Sequence, residues 1–213
     1  MEEKTYHHED LREELIDAGI RLLDTGGYEN LSLRKVAQAC GVSHTAPYRH
    51  FRDKDDLVIA IAAKIHHRFN GSLKAAVAMH PGDVGAQIDE MGCAYVHFFM
   101  ENPSYLRLLF LSDIHRRIDT RFGGRSGLFE NPEETFYDAI RRYAAEHGGT
   151  SSVSSDAQAL ALGAWGLVHG ITILLVHGDF QYEGDYMDLV RKVIWNGTAA
   201  VTGKTAGTAA DDA

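Results

Sequence analysis

The chain has 213 residues, 45% of them apolar, with only four prolines and two cysteines. That length can bury a sizeable core and suits one small module plus one larger domain, and so few cysteines exclude a disulfide-stapled scaffold. The formal charge of −9 is segregated: residues 31–54 hold Arg34, Lys35, Arg49, Arg52 and Lys54 against Asp53 alone, a local +4, and the remainder carries −13. A basic island on an acidic body marks a local polyanion-facing surface, with non-specific adhesion suppressed elsewhere.

The amino terminus, with Glu2, Glu3 and Lys4, is charged and lacks the apolar run of a secretory signal, so the expected location is the cytoplasm. A first helix is predicted from about Asp10 to Asp24, with Leu11, Leu15, Ala18 and Leu22 on one face and Gly26-Gly27 ending it. Tyr28, Leu31 and Leu33 then anchor the connection to a small core. The stretch from Leu31 to Phe51 is the most informative in the chain. Leu33, Val36, Ala37 and Cys40 form the apolar stripe of a short helix, and Gly41 follows where a left-handed backbone stops a helix most cheaply. Val42 can fill the corner, and Ser43 is expected to cap a second helix through its hydroxyl. Pro47 falls near the end of that helix's first turn. Two short helices about a glycine turn make a helix-turn-helix.

Such a unit lays its second helix in a DNA groove. His44, Thr45 and Ala46 occupy the amino-terminal turn that meets base edges, with Ser43 and Arg49 beside them. Tyr48, His50 and Lys54 carry donors suited to phosphate oxygens, which position without reading sequence. Arg34, at the start of the preceding helix, can reach a guanine edge.

The segment Leu31–Leu57, with Gly41-Val-Ser43, Tyr48-Arg-His-Phe51 and Lys54-Asp-Asp-Leu57, closely resembles the DNA-binding region of tetracycline-repressor-like (TetR family) regulators. The likeness extends back over Leu11–Gly27 and covers about the first quarter of the chain. Farther on, Trp165-Gly-Leu-Val-His169-Gly170 looks like the signature of one carboxy-terminal subgroup, named after its Trp-His-Gly motif. The resemblance implies a homodimeric, all-helical transcription regulator, most often a repressor released from its operator by a small molecule. It also implies DNA-contacting positions at Ser32, Arg34, His44, Thr45, Tyr48, His50 and Lys54. Pro47 departs from the broader family, which usually carries an apolar residue such as leucine there.

Asp53 reads as the cap of the next helix, with Asp55 and Asp56 in its first turn, running through Leu57, Ile61 and Ile65 to Phe69 or beyond. The chain turns around His80–Val84. Another helix is expected from Val84 to Met100, ended by Asn102-Pro103, and Pro103 opens the next one, carrying Tyr105, Leu106, Leu109 and Phe110. Thr120–Leu128 reads as a glycine-rich loop, Pro132–His147 as a helix and Gly148–Ser155 as a polar loop. From Asp156 to His177 lies the most apolar stretch. Ala159–Val176 is long enough to span a bilayer, but it has neither a basic flank nor an aromatic belt, so no membrane partner is expected. A last helix is predicted over Tyr186–Val201, and the tail from Thr202 is expected to be disordered.

The expected architecture is therefore all-α: a helix-turn-helix module over residues 1–55, an effector-binding and dimerisation domain over 56–201, and a tail over 202–213. One short reading helix covers too few bases, so the expected partners are operator DNA and a second copy of the chain. Gly163, Gly166, Gly170 and Leu174 on one helix, and Val190, Val193 and Ile194 on the next, are the expected dimer contacts. Tyr95, Phe98, Phe99, Tyr105, Leu109, Phe136, Tyr143, Trp165 and His169 are candidate linings for an apolar or aromatic effector. Each of these also serves as ordinary core. Twelve histidines keep a metal-responsive regulator open as an alternative, through pairs such as His97 and Glu101. No tight multi-ligand spacing occurs, so no metal or cofactor is expected. The sequence has no nucleotide-binding loop after a strand, no Gly-x-Ser-x-Gly and no His-Glu-x-x-His. An enzyme fused to the helix-turn-helix is the remaining alternative, and the expectation is that the chain is not an enzyme. Cys40 and Cys93 read as reduced packing residues.

Overall fold

The computed structural model describes residues 8–114, 116, 132–147 and 153–202. Helices α1 (His8–Gly26), α2 (Leu33–Ala39), α3 (Lys54–Met79), α4 (Val84–Glu101) and α5 (Pro103–Leu106) come first. They are followed by α6 (Pro132–His147), α7 (Val153–His177) and α8 (Tyr186–Thr202). Single 3₁₀ turns cover Tyr28–Asn30 and Ala46–Arg49, and a π turn covers Arg107–Leu111. Among the described residues there is no strand, so the all-α class expected from the sequence is what forms. The expected glycine-rich loop over 120–128 and the tail beyond Thr202 lie outside the described residues. Of the loop expected over 148–155, the part from Val153 is already helix.

The chain divides into two compact units. Residues up to His67 join residues 102–130 in one, and residues 68–101 join 131–213 in the other. The first unit is built on Leu15, Ile16, Leu33, Val36, Phe51, Leu57, Ile61 and Ile65, all of which are buried. Within it Leu106, Leu108 and Leu109 are also buried, and the Ser104 hydroxyl donates to the Asp24 carboxylate, tying the start of α5 to α1. Helix α3 starts as expected: Asp56 N–H donates to Asp53 Oδ1 at 3.0 Å, and Arg52 N–H donates to Asp56 Oδ2 at 3.0 Å. The first bond satisfies a donor which a helix start otherwise leaves unmade, and the second ties the residue before the cap to the first turn of α3. Lys64 adds a crosslink to α1, 2.9 Å from both Glu13 and Asp17.

Helix α4 is the hub of the second unit, packing against α6, α7 and α8. At Gly92 the helices come so close that a Cβ would stand 3.1 Å from Ile194 Cδ1 and 3.2 Å from Val168 Cγ1. Phe69, Phe98 and Phe99 stack at centroid distances of 5.0–5.2 Å. Thr135 hydroxyl donates to the buried Asn70 at 2.8 Å, and Arg142 donates to the buried Gln87 at 2.9 Å, so these two buried amides are partnered. Phe99 is fully buried. Phe99→Ala should cost about 3–5 kcal/mol of unfolding free energy in urea, and a loss below about 1 kcal/mol would contradict this placement.

Candidate nucleic-acid interface and the polar core of the larger unit

Ser32 stands at the N-cap of α2, its Oγ accepting from Lys35 N–H at 3.2 Å. The helix ends in a Schellman motif: Val42 N–H donates to Ala37 O at 3.0 Å and Gly41 N–H to Gln38 O at 3.1 Å, with Gly41 at φ 68°. A side chain at that φ would strain the turn, so glycine is what allows the chain to double back here.

The element after the glycine departs from the expected helix. It is one 3₁₀ turn, Ala46–Arg49, and Thr45 rather than Ser43 stands before it. Ser43 does not cap through its hydroxyl; its Oγ pairs with Thr45 Oγ1 at 3.1 Å, while its carbonyl accepts from Ala46 N–H. Pro47 explains the change. It has no N–H to give to Ser43 O, so the first α-helical hydrogen bond cannot form; Tyr48 N–H donates to Thr45 O and His50 N–H to Pro47 O, three residues apart, and only at the end does Phe51 N–H reach Pro47 O, four apart, at 2.9 Å. Pro47 itself is buried and pins the turn to the core.

Ser43, His44, Thr45, Tyr48 and Arg49 are exposed around this turn, as are Arg34 and Lys35 on α2. Tyr48 is 60% exposed, far more than a core tyrosine. Ala46 and His50 are half-buried. Lys35, counted in the basic island but not among the candidate contacts, belongs to the same surface, and its Nζ donates to Asn30 Oδ1 at 3.3 Å. Lys54 is held differently from the others. Its ammonium lies 4.0 Å from the Tyr28 ring centroid and donates to Tyr28 O at 2.9 Å, strapping the start of α3 to the turn after α1.

In the larger unit, Tyr95, Phe98 and Phe99 of α4 gather around Phe69, and Tyr95 Oη lies 2.8 Å from His169 Nδ1. Burial raises the Tyr95 pKa and lowers that of His169. Tyr143 is buried and Phe136 half-buried in the same unit, whereas Tyr105 and Leu109 are buried in the other one, so the nine proposed lining residues do not share one core. Cys93 is buried, its thiol pushed up to about 11 by desolvation, and Cys40 is half-buried. Among the described residues no three His, Cys, Asp or Glu side chains are grouped to hold a metal ion.

Helix α7 leaves Leu162, Gly163, Gly166, Gly170 and Leu174 exposed along one side. The most apolar 18-residue window within Ala157–His177 has a mean hydropathy of 2.0, yet only 17% of it is buried. On α8, Val190 and Ile194 are 1% and 3% exposed. They belong to the protomer's own core rather than to an outer face, and Val193 is half-buried. The outer side of α8 instead shows Trp195, 54% exposed, which sequence reasoning missed although it lies off the Val190–Ile194 stripe.

Residues 15–61 match the family described as bacterial regulatory proteins, tetR family, and residues 88–195 match the tetracyclin repressor-like C-terminal domain. The chain belongs to the tetR family. The second match spans half the chain and includes Trp165, His169 and Gly170. The HTH-type transcriptional repressor Rv1474c of Mycobacterium tuberculosis is 36% identical over 78 residues, 37% of this chain and 39% of that protein. Tetracycline repressor protein class D of Escherichia coli is 29% identical over 143 residues, 64% of this chain and 55% of that one. The chain thus aligns with about two-fifths to just over half of the length of these relatives. A protein with unknown function from Rhodococcus sp. RHA1 shares the fold with a TM-score of 0.65 at 25% identity, over 96% of this chain and 100% of the other.

If the Lys54–Tyr28 strap holds the small unit together, Lys54→Ala and Tyr28→Leu should be non-additive in urea unfolding. The expected coupling is about 0.5–1 kcal/mol, and additive losses would contradict it.

Proposed function

We propose that this tetR-family chain is a sequence-specific DNA-binding transcriptional regulator, a homodimeric repressor that leaves its operator when a small apolar or aromatic effector binds the larger unit. The observation that carries the reading is the glycine-turned segment 31–54, with its local charge of +4 and its exposed ring of Arg34, His44, Thr45, Tyr48 and Arg49. In this reading Arg34, Ser43, His44, Thr45 and Ala46 meet base edges, while Ser32, Tyr48, Arg49, His50 and Lys54 meet phosphates. Lys54 keeps donors beyond the one given to Tyr28, so the strap and a phosphate contact are compatible. The names of two relatives, a transcriptional repressor and a tetracycline repressor, support repression. The Trp-His-Gly motif supports membership of the subgroup named after it. The functional division is a reading head over 1–55 and an effector and dimer body over 56–201, working in the cytoplasm without a membrane.

The dimer reading rests on α7. An apolar helix side of this length left open to water favours a second copy, and glycines at 163, 166 and 170 let two backbones approach closely. Leu162, Leu174 and Trp195 join them, and Val193 lies at the edge. The core residues Val190 and Ile194 support the face from behind. The effector group is Tyr95, Phe98, Phe99, Phe136, Tyr143, Trp165 and His169. Binding there weakens DNA affinity 100-fold if the effector prefers the released state by about 2.7 kcal/mol.

A Cβ at Gly166 meets nothing within 4 Å in the protomer, so Gly166→Glu tests the face without disturbing the fold. Sedimentation should show a dimer for the parent and a monomer for the variant, with unchanged helicity and lost operator binding; a variant that stays dimeric contradicts the assignment. Fluorescence anisotropy on duplexes from beside the gene tests the head. Arg49→Ala should flatten the log affinity against log salt slope by about 1, and Arg34→Ala should cost about 1–3 kcal/mol and relax base preference. Equal affinity for every duplex would overturn the regulator reading.

A further inference from the structure

The five cations of residues 31–54 are not equally available to a polyanion. Arg52 stands three residues past Arg49, just before α3, and its side chain is 71% exposed. By position and exposure it belongs with the phosphate contacts. Its Nε–H, however, donates to Asp56 Oδ2 at 2.8 Å and its Nη2–H to Asp56 Oδ1 at 3.2 Å, a two-pronged pairing that takes up both carboxylate oxygens. The carboxylate is also anchored to the backbone, since Arg52 N–H donates to Oδ2 at 3.0 Å. Asp56 itself is only 15% exposed, so solvent and salt screen it less than they screen the guanidinium. Lys35 and Lys54 bond instead to neutral acceptors, the Asn30 amide and the Tyr28 carbonyl, and keep their charge. Among the described residues, Arg52 alone of the five pairs with a carboxylate.

Resting on the reading that the small unit binds DNA, we propose that Asp56 limits the affinity of the reading head by cancelling Arg52, so that Arg52 adds little to phosphate binding. Duplex affinity and its salt dependence follow the number of phosphates that the protein neutralises, each releasing condensed counterions. An arginine that carries its own carboxylate brings opposite charges to the same phosphate and releases none. The pair need not be strong to act in this way, because the net charge is what counts. A phosphate that drew the guanidinium off would leave Asp56 facing another anion, and the Arg52 N–H keeps that carboxylate from swinging clear. The consequence is a lower sequence-independent hold on any duplex the head meets. Asp56 acts through Arg52 and touches no DNA, so it is a positioning residue.

The test titrates the full-length protein with a duplex from beside the gene at several salt concentrations. Arg52→Ala should change the log affinity against log salt slope by less than about 0.3, whereas Arg49→Ala flattens it by about 0.9. Asp56→Asn keeps an oxygen for the Arg52 N–H and removes only the charge. It should steepen the slope by about 0.9 and tighten binding about eightfold near 0.1 M salt, a gain that fades toward 1 M. Adding Arg52→Ala to Asp56→Asn should remove that gain. The proposal is overturned by an Arg52→Ala slope as flat as that of Arg49→Ala, or by an unchanged slope in a folded Asp56→Asn. It is equally overturned if Asp56→Asn tightens binding as much without Arg52 as with it, because Asp56 then acts as an isolated charge. The Arg52→Ala arm needs no change at Asp56, so it decides even where that variant loses its helicity. A parent protein that binds no duplex at any salt refutes the regulator reading instead.

Discussion

The reversal of the backbone at Gly41 is the constraint on which the rest depends. With φ at 68° and two hydrogen bonds closing the end of α2, the chain leaves that helix in one direction only. Pro47 then enters the core, and the polar side chains from Ser43 to Arg49 are left to face outward. The same residues without that turn would be a solvated basic stretch. The small unit directs its polar contacts to keeping the turn in place: Ser32 caps α2 before it, Asp53 caps α3 after it, Asp56 holds Arg52 N–H, and Lys54 straps α3 to the turn at Tyr28.

Much of this was legible in the chain because it is local. The stripe Leu33, Val36, Ala37, the stop at Gly41 and the cap at Asp53 are set by neighbours within five residues, and all three are found as expected. The reading element itself was misjudged as an α-helix. Serine is a good cap in general, but the residue that decides here is Pro47, whose missing N–H removes the bond that the Ser43 carbonyl would have taken. Helix bounds followed the same logic, with Pro132–His147 matching and Val153 starting earlier than its polar sequence suggested.

Long-range assignments were harder to read. Val190, Val193 and Ile194 look alike as apolar residues on a terminal helix, and nothing within α8 says which of them turn toward α4. The approach of Ile194 to Gly92 settles it, a contact between residues about a hundred positions apart. Likewise Tyr105 and Leu109 resemble Tyr95 and Phe99 in composition but belong to a different unit. Tyr95 and His169 were visible only as two candidates on two helices, and their approach to 2.8 Å emerges only from the fold.

Hydroxyl-radical footprinting of duplex from beside the gene tests the central claim most directly, because it reports where each reading head lies. The account predicts two short protected patches on one face of the DNA, related by a two-fold axis and about 10 base pairs or a multiple of that apart. A single unpaired patch, or uniform weak protection that vanishes on modest addition of salt, would contradict it.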